Sequence, residues 1–399
     1  MILMLGAIVA IGPLTIDMYL PALPTIVDDL RTSETSAQLT LTGVLLGLSV
    51  GQLVVGPLSD AIGRRRPLLY GMALHVLASL LCLLAPNIVV LGGLRVVQGF
   101  GAAAASVVAM AVVRDLVSGV AAAKVISRLI LVLGAAPILA PFLGSQLLRL
   151  TSWRGIFAVL ALFGIAIGLM AARALPETLP PQRRLRADVR STLTAARHVL
   201  RDRSFVGLAL VASFGMAAVF AYVSGSSFVM QEQFGLSEQQ FGLVFGAGAV
   251  GLIGSAQANV KLLERFSPRQ IVTTALGSSC GAILLMVLLA ATDTGGLLGV
   301  LIPLWIALTG AGLVMPNASA MALTRHGEAA GTAAAVAGFL QFGVGAVTAP
   351  VVGALGATSL AMAVVMAVSL LAGLVILLFV VRPADLAYFE DGVQPVAVH

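Results

Sequence analysis

The chain has 399 residues, of which 59% are hydrophobic and only 10% are charged, and its net charge is +6. Soluble proteins carry about a quarter charged residues, so this composition and a mean hydropathy of +1.05 exclude a soluble globular class. Two cysteines exclude a disulfide framework. The Lys and Arg residues do not form a basic stripe with aromatic residues between them, and we therefore expect no nucleic-acid partner.

Apolar blocks recur along the whole chain, each near the roughly 20 residues that cross a bilayer as a helix. Lipid cannot satisfy exposed backbone groups, and the alternation of barrel strands is absent, so the blocks predict an all-α polytopic membrane protein. The first block has no basic start or small-residue cleavage site and is expected to be a retained span. The twelve predicted spans are 2–23, 36–58, 67–86, 88–112, 125–148, 153–175, 205–230, 239–260, 270–291, 297–323, 329–355 and 358–381.

Basic residues alternate in density between successive loops. Most of the 23 Lys and Arg residues fall in alternate loops, which predicts that both termini and the central loop face the cytoplasm. Six spans precede the central loop and six follow it, as in a two-lobed transporter with a site near the midplane. The predicted units are a six-helix bundle over 1–175, a linker over 176–204, a second bundle over 205–381 and a tail over 382–399.

The linker contains apolar residues at helical spacing, namely Val189, Leu193, Ala196 and Leu200. This spacing predicts a helix lying along the inner leaflet. A polar linker held on the cytoplasmic side by its arginines remains an alternative.

Two charges lie inside predicted spans, Asp17 in the first and Arg95 in the fourth. The rise of a helix places them at depths of about 9 and 12 Å, where an unpaired charge costs about 3 kcal/mol. We expect the two to form an ion pair. The alternative is an arginine satisfied by carbonyl groups and an aspartate that reaches the outer interface. Gln98 shares the helical face of Arg95 and is expected to contact substrate or a proton.

Several stretches carry a family resemblance. "GPLSDAIGRRRP" (56–67) resembles the loop after the second helix of the major facilitator superfamily, and "LRVVQGFGAAA" (94–104) its fourth-helix motif. "LGAAPILAPFLGS" (133–145) is similar to the fifth-helix motif of the drug/proton antiporters of that superfamily. "DMYLPALP" (17–24), "WRGIF" and "LPETL" resemble the bicyclomycin/chloramphenicol efflux branch, the Bcr/CflA group.

The match departs from the family pattern in two places. Ala140 precedes Pro141 where Gly is usual, and Ser145 stands at the last Gly of the fifth-helix motif. The second-half counterpart of the loop motif, "SAQANVKLLERFSPRQ", retains little of the pattern.

The resemblance implies two six-helix bundles that alternate access to a central cavity. It also implies a cytoplasmic gate loop in which Asp60 faces Arg64 and the start of the eleventh span when that side is closed. A topology signal without a latch is the alternative for these arginines. We expect the missing side chain of Gly56 to allow close helix approach. The predicted gate-loop residues are Gly56, Asp60, Gly63, Arg64 and Arg65.

Glycines and prolines line one face of the fifth span. This stripe predicts a bent helix that serves as a hinge or packs one lobe against the other, whereas ordinary Gly and Pro usage in membrane helices is the alternative. The stripe residues are Gly134, Pro137, Pro141 and Gly144.

Polar and aromatic residues of the second half are candidates for the substrate cavity, although helix packing explains each of them as well. Together with Gln98, the predicted cavity residues are Tyr222, Gln231, Asn317, Phe339 and Gln341, with Phe342 beside them.

The sequence predicts a secondary transporter that exports small apolar drugs in exchange for protons, with Asp17 and Arg95 in proton coupling. No G-x-x-x-x-G-K-[ST] loop is present, so ATP is not the expected energy source. We expect no cofactor or metal, and a monomer whose partners are the drug, protons and the lipid bilayer. The alternatives are an exporter or facilitator of a metabolite or sugar with the same fold, a channel and a membrane-embedded enzyme. No nucleophile or acid/base set supports the last.

Overall fold

The computed structural model describes residues 2–117, 119–184, 189–324 and 330–381, and within these ranges every regular element is helical. The long helices of the first half are α1 (Ile2–Asp17), α2 (Leu23–Asp29), α3 (Glu34–Ile62), α4 (Arg65–Leu83), α5 (Ile88–Leu116), α6 (Gly119–Leu148) and α7 (Trp153–Ala174). The remaining helices are α8 (Val189–Arg201), α9 (Arg203–Phe228), α10 (Glu238–Leu262), α11 (Pro268–Ala291), α12 (Gly296–Thr324), α13 (Ala330–Ala354) and α14 (Ser359–Val375).

The predicted all-α membrane fold is confirmed. Within the described ranges, 11 helices are long and apolar enough to cross a membrane. The first of them joins α1 and α2 through a short 3-10 turn at Leu20–Ala22. The remaining predicted span, 125–148, lies within α6 (Gly119–Leu148).

Short polar side chains fix where many helices begin. Ser33, Asn87 and Thr358 each accept a hydrogen bond from a backbone N–H of the first turn. Ser237 and Ser267 form complete capping boxes with the glutamine three residues later. Such caps satisfy N–H groups that have no partner inside the helix, and they explain why the helices start at these points of a largely apolar chain.

The two halves of the chain repeat one packing pattern. In the first half α3 packs on α5, α4 on α7, and α1 on α6; in the second half α10 packs on α12, α11 on α14, and α9 on α13. The halves meet where α3 packs on α13 and α6 packs on α10. The domain boundaries stay a prediction, and the tail 382–399 lies outside the described residues.

Glycines bring α3 and α5 into direct backbone contact. A Cβ atom added at Gly47 would overlap the carbonyl oxygen of Val96, and one at Gly99 would overlap that of Val44. Close approach of this kind depends on small residues because helices in lipid associate mainly through packing. The seam holds α5, and therefore Arg95, at a fixed position beside α3.

The halves are joined differently at the two ends of the bundle. At the end remote from Arg64, Gly353 N–H donates to Gln38 Oε1 at 2.8 Å and Ser227 Oγ donates to the Leu20 carbonyl at 2.7 Å. At the end that carries Arg64, hereafter the basic end, a cavity of about 400 Å³ lies between Asp60 on α3 and Thr332 on α13. Among the described residues, the halves are therefore joined by hydrogen bonds at the end remote from Arg64 and are separated by this cavity at the basic end.

The predicted linker helix exists as α8, but its apolar face differs from the predicted one. Val199 is fully buried, whereas Leu200 is exposed, and Ala196 lines the cavity at the basic end. α8 packs on α9 and α13, and packing against protein turns Val199 inward. The side chains of Val189 and Leu193 lie outside the described part of the structure.

Candidate functional site

A second cavity, of about 250 Å³, lies between the two halves near the middle of the bundle. Asp17, the last residue of α1, is only 6% exposed and lines this cavity. The other walls come from α3, α5 and α6 of the first half and from α9, α10, α12 and α13 of the second. Hereafter this space is the central cavity.

The walls of the central cavity are almost entirely apolar. Asp17, Tyr222 and Ser106 are the polar side chains among its lining residues. Tyr222 stacks on Phe245 with ring centroids 5.0 Å apart and an interplanar angle of 16°. No residue in the described ranges donates a hydrogen bond to the Asp17 carboxylate or pairs with it. An ionised carboxylate in such surroundings is costly, so the site favours the neutral acid.

The predicted ion pair between Asp17 and Arg95 is wrong. Arg95 is fully buried; its Nη2 donates to the Thr15 carbonyl at 2.9 Å and its guanidinium lies 4.1 Å from the centre of the Tyr19 ring. Thr15 and Tyr19 are four residues apart and share the face of the chain that meets α5. Asp17, the last residue of α1, lies about 200° around the helix from Thr15 and lines the central cavity.

Gln98 belongs to the support of Arg95 and lies outside the central cavity. Its Oε1 accepts from Arg95 Nη1 at 2.6 Å, and its Nε2 donates to Ser79 Oγ at 2.7 Å. His75, on α4 like Ser79, is buried and its Nε2 lies 2.8 Å from Thr15 Oγ1. Together these side chains tie α1, α4 and α5 into one polar network outside the lining of the cavity.

Of the six predicted cavity residues, Tyr222 is the one that lines the central cavity. The others make hydrogen bonds elsewhere. Gln231 donates to the Pro21 carbonyl at 3.1 Å, and Asn317 donates to Asn259 at 2.7 Å. The Phe339 carbonyl accepts from Ser49 at 2.8 Å, and Gln341 donates to Ser319 at 3.2 Å. Phe342 does line the cavity.

The α6 stripe packs against both halves. A Cβ atom at Gly134 would lie 2.7 Å from Ile253 of α10, and one at Gly144 would overlap the Met18 carbonyl beside α1. Pro137 lines the central cavity, and the carbonyl of Pro141 faces Gly242 of α10. These contacts agree with a packing role between lobes, while the hinge stays a prediction.

At the basic end, Arg64 lies in a cluster of acidic groups. Its Nη1 lies 2.5 Å from Asp60 Oδ1, and its Nε lies 2.9 Å from Asp115 Oδ2. The expected latch between this pair and the start of the eleventh span stays a prediction. Glu177 accepts hydrogen bonds from the backbone N–H groups of Arg64 and Arg65 at 2.7 and 3.3 Å. Asp115 and Glu177 were missed as site residues, although Glu177 lies inside the "LPETL" motif.

The Glu177 carboxylate is held ionised by the loop. Partial burial alone raises the pKa of Glu177, but backbone N–H donors from Arg64, Leu179 and Arg65 outweigh burial and leave the pKa below its usual value. A lowered pKa stabilises the fold above the unfolded-state value, and this contribution is lost as pH falls through the folded-state value.

Gly56 and Gly63 play opposite roles in the loop. Gly63 has φ +95°, and a Cβ atom there would overlap the Glu177 carboxylate. The expectation of close helix approach at Gly56 is wrong, because no atom lies within 4 Å of a Cβ placed there. The reason is that Gly56 borders the cavity at the basic end.

We expect Gly63→Ala to lower the free energy of unfolding by about 1–2 kcal/mol, because alanine meets both an unfavourable φ and the Glu177 carboxylate. Gly56→Ala is the matched control and should leave stability unchanged or slightly raised. Thermal unfolding of the purified protein in detergent measures both. Equal losses for the two variants would contradict the assignment.

The chain matches the Major Facilitator Superfamily over residues 4–342. It is 38% identical over 377 residues to the uncharacterized MFS-type transporter YdgK of Bacillus subtilis (strain 168), covering 93% of this chain and 92% of that protein. It is 30% identical over 355 residues to a bicyclomycin resistance protein homolog of Haemophilus influenzae, covering 87% of each. Among solved structures, a D-xylose-proton symporter is similar in fold, with a TM-score of 0.72 at 17% identity. The match covers 96% of this chain and 97% of the symporter.

These comparisons agree with the fold and with the motif resemblance. The family and the fold are those of transporters and not of enzymes. Relatives named for drug resistance confirm the resemblance to the bicyclomycin/chloramphenicol branch. Many apolar helices and these relatives make the protein a multi-span bacterial membrane protein. The chain therefore belongs to the major facilitator superfamily.

Proposed function

We propose that this transporter exports small, largely apolar drugs of the bicyclomycin or chloramphenicol type in exchange for protons, with Asp17 as the group that carries the proton. The observation that carries the proposal is the position of Asp17. Among the residues that the structure describes, Asp17 is the only buried acidic side chain. It lines the central cavity, and no described residue donates a hydrogen bond to its carboxylate.

Drug and proton exclude one another at this carboxylate. In the empty cavity no protein group stabilises the ionised form, so the neutral acid is favoured. A drug that donates a hydroxyl or amide hydrogen to Asp17 stabilises the ionised form instead and releases the proton. By linkage, protonation weakens drug binding by the same factor. Arg95 acts indirectly, by holding Thr15 and Tyr19 so that Asp17 faces the cavity.

The residues at the basic end act in the change between transport conformations. We assign this end to the cytoplasmic side of the inner membrane, with both termini on that side, because the arginine-rich loops lie there. The cavity between Asp60 and Thr332 supports an inward-open conformation. On closure, the Asp60–Arg64 pair approaches the start of α13 and acts as a latch. Contacts of this size bias a two-state equilibrium without locking it.

Asp17→Asn tests the coupling in proteoliposomes with radiolabelled chloramphenicol. In the wild type, an imposed pH gradient should drive uptake, whereas Asp17→Asn should lose at least tenfold of the gradient-driven rate. Exchange of labelled for unlabelled drug needs no proton and should persist in the variant. Asp293→Asn is the matched control, because Asp293 lies in an exposed turn and its φ of 55° is one that Asn tolerates.

Uptake that ignores the pH gradient in the wild type would point to the same-fold facilitator of a metabolite or sugar. Gradient-driven uptake that survives Asp17→Asn would remove Asp17 from the coupling step but leave antiport intact.

A further inference from the structure

A turn with two prolines follows Asp17 and joins α1 to α2. Pro21 has no N–H group to donate to the carbonyl of Asp17, four residues earlier, so α1 ends at Asp17. Pro24 likewise leaves the Leu20 carbonyl without the donor that a continuous helix would supply. The Leu23 N–H donates to this carbonyl in a 3-10 turn, and the second lone pair of the carbonyl oxygen stays available.

The second half of the chain binds this available lone pair. Ser227 of α9 is fully buried, and its Oγ donates to the Leu20 carbonyl at 2.7 Å. Gln231, one turn later, donates through Nε2 to Ser227 Oγ at 2.7 Å and to the Pro21 carbonyl at 3.1 Å. The bonds therefore form a chain from the end of α9 to two successive carbonyls of the turn, and bonds in such a chain strengthen one another.

The end of α9 that makes this contact is itself irregular. Residues Val229–Gln233 form a π-helical turn, in which the Phe234 N–H donates to the Val229 carbonyl, five residues earlier, at 3.1 Å. Such turns are rare and occur frequently at functional sites. Both partners thus depart from a regular helix where the two halves meet, the first through its prolines and the second through the π turn that carries Gln231.

The contact lies at the end of the bundle remote from Arg64, hereafter the remote end. Opening of the remote end separates the halves and must break the bonds of Ser227 and Gln231 to the turn. Leu20 lies only three residues after Asp17, so a drug bound at Asp17 lies next to the same turn. In the proposed exchange, an empty protein that opened at the remote end with Asp17 ionised would take up a proton there and carry it inward without exporting drug.

We propose that Ser227 and Gln231, bonded to the proline turn Leu20–Pro24, form a coupling joint that keeps the remote end closed when Asp17 holds neither drug nor proton. The joint yields when either is bound. This inference rests on the proposed function, since it concerns how Asp17 controls the second half. Ser227 and Gln231 are positioning residues, because they act through the turn. The "DMYLPALP" stretch gains a role, since its prolines leave carbonyls for α9 to bind.

Proton leak through the drug-free protein tests the joint. Full-length variants are reconstituted into proteoliposomes, and the collapse of an imposed pH gradient is followed with a trapped pH-sensitive dye. Ser227→Ala should raise the leak about fivefold, because one hydrogen bond to the turn is lost. Ser213→Ala is the matched control, since Ser213 is also fully buried on α9 but donates to the Ala209 carbonyl of its own helix at 2.7 Å. Equal leaks for the two variants would overturn the joint.

A second pair of variants removes the other donor of the chain. Gln231→Met keeps the length of the side chain but cannot donate, so the leak should again rise. Gln233→Met is the control in the same π turn, because Gln233 bonds only Ser359 of the second half, at 3.0 and 2.7 Å, and its leak should stay at the wild-type level. A leak as large from Gln233→Met would mean that disturbance of the π turn, and not the contact with the proline turn, opens the protein.

The leak should depend on Asp17. When Asp17→Asn is combined with Ser227→Ala, no group carries the proton, and the leak should return to the wild-type level. A purely structural loosening of the remote end would leave the leak in place in the double variant. That result would overturn the link between the joint and Asp17.

Failure of this inference is distinguishable from failure of the proposed function. If antiport is wrong, the wild type shows no gradient-driven chloramphenicol uptake. If only the joint is wrong, the wild type takes up chloramphenicol with the gradient, and Ser227→Ala and Gln231→Met leak no more than their controls.

Discussion

Replacing Arg95 by Lys is expected to lower the free energy of unfolding by about 3 kcal/mol and to abolish transport. Arg95 is fully buried and uses its planar fork to reach Gln98 and the Thr15 carbonyl at once, at 2.6 and 2.9 Å, while it stacks on Tyr19. Lysine keeps the charge but cannot reproduce the fork or the stacking. Hydrogen bonds to a charged group contribute about 1.5–3 kcal/mol each.

Arg154→Lys is the matched control for this loss. Arg154 likewise stacks on an aromatic ring, that of Trp153 at 4.1 Å, and, unlike Arg95, it pairs with an acid, Asp29 at 2.6 Å. Its side chain is 35% exposed, so water replaces what lysine loses and the change should stay within about 1 kcal/mol. Thermal unfolding in detergent compares the two variants. A similar, small loss for both would mean that the network around Arg95 does not hold α1 in place.

Gly47→Ala is expected to have the second large effect, a loss of about 3 kcal/mol in the free energy of unfolding. The added methyl group would overlap the Val96 carbonyl, and neither helix backbone can yield without separating α3 from α5. Gly93→Ala is the control on α5, where no atom lies within 4 Å of an added Cβ, and it should be neutral or slightly stabilising.

The expression level of folded protein and its unfolding temperature measure both substitutions. If Gly47→Ala folds as stably as Gly93→Ala, the seam between α3 and α5 tolerates separation. The position of Arg95 would then not depend on close contact between these helices.

The fold was predictable from the sequence because bilayer thickness dictates helix length and polar residues mark the turns. The span 88–112 predicted the helix Ile88–Leu116, and Ser267 with Gln270 marks the start of α11 by a capping box. Helix ends were less predictable. α5 continues to Leu116, past the predicted end at 112, because the helix does not stop where Arg114 and Asp115 interrupt the apolar run.

The error over Asp17 and Arg95 has a geometric cause. Depth along a helix places both charges at a similar level but does not say which way each one faces. The direction in which a side chain faces depends on its angular position around the helix: Thr15 and Tyr19 meet α5, and Asp17 between them points elsewhere. A helical projection of α1 separates Thr15 from Asp17, but the sequence alone does not show which of the two faces meets α5.

The cavity candidates illustrate a different limit. Gln231 and Asn317 have amide groups suited to binding a ligand, but each is satisfied by another part of the protein, at the Pro21 carbonyl and at Asn259. The Arg64 cluster shows the same limit, because Asp115 and Glu177 lie 51 and 113 residues away in the chain. Tertiary packing determines which residues so far apart in the chain meet, and local sequence patterns do not contain this information.

In the proposed mechanism, drug binding and protonation of Asp17 exclude one another. Titration calorimetry of chloramphenicol binding, repeated in buffers of different ionisation enthalpy, measures the number of protons released per drug bound. We expect proton release from the wild type in the pH range where Asp17 is protonated, no release from Asp17→Asn, and release at the wild-type level from Asp293→Asn. Unchanged release from Asp17→Asn would show that Asp17 does not carry the proton.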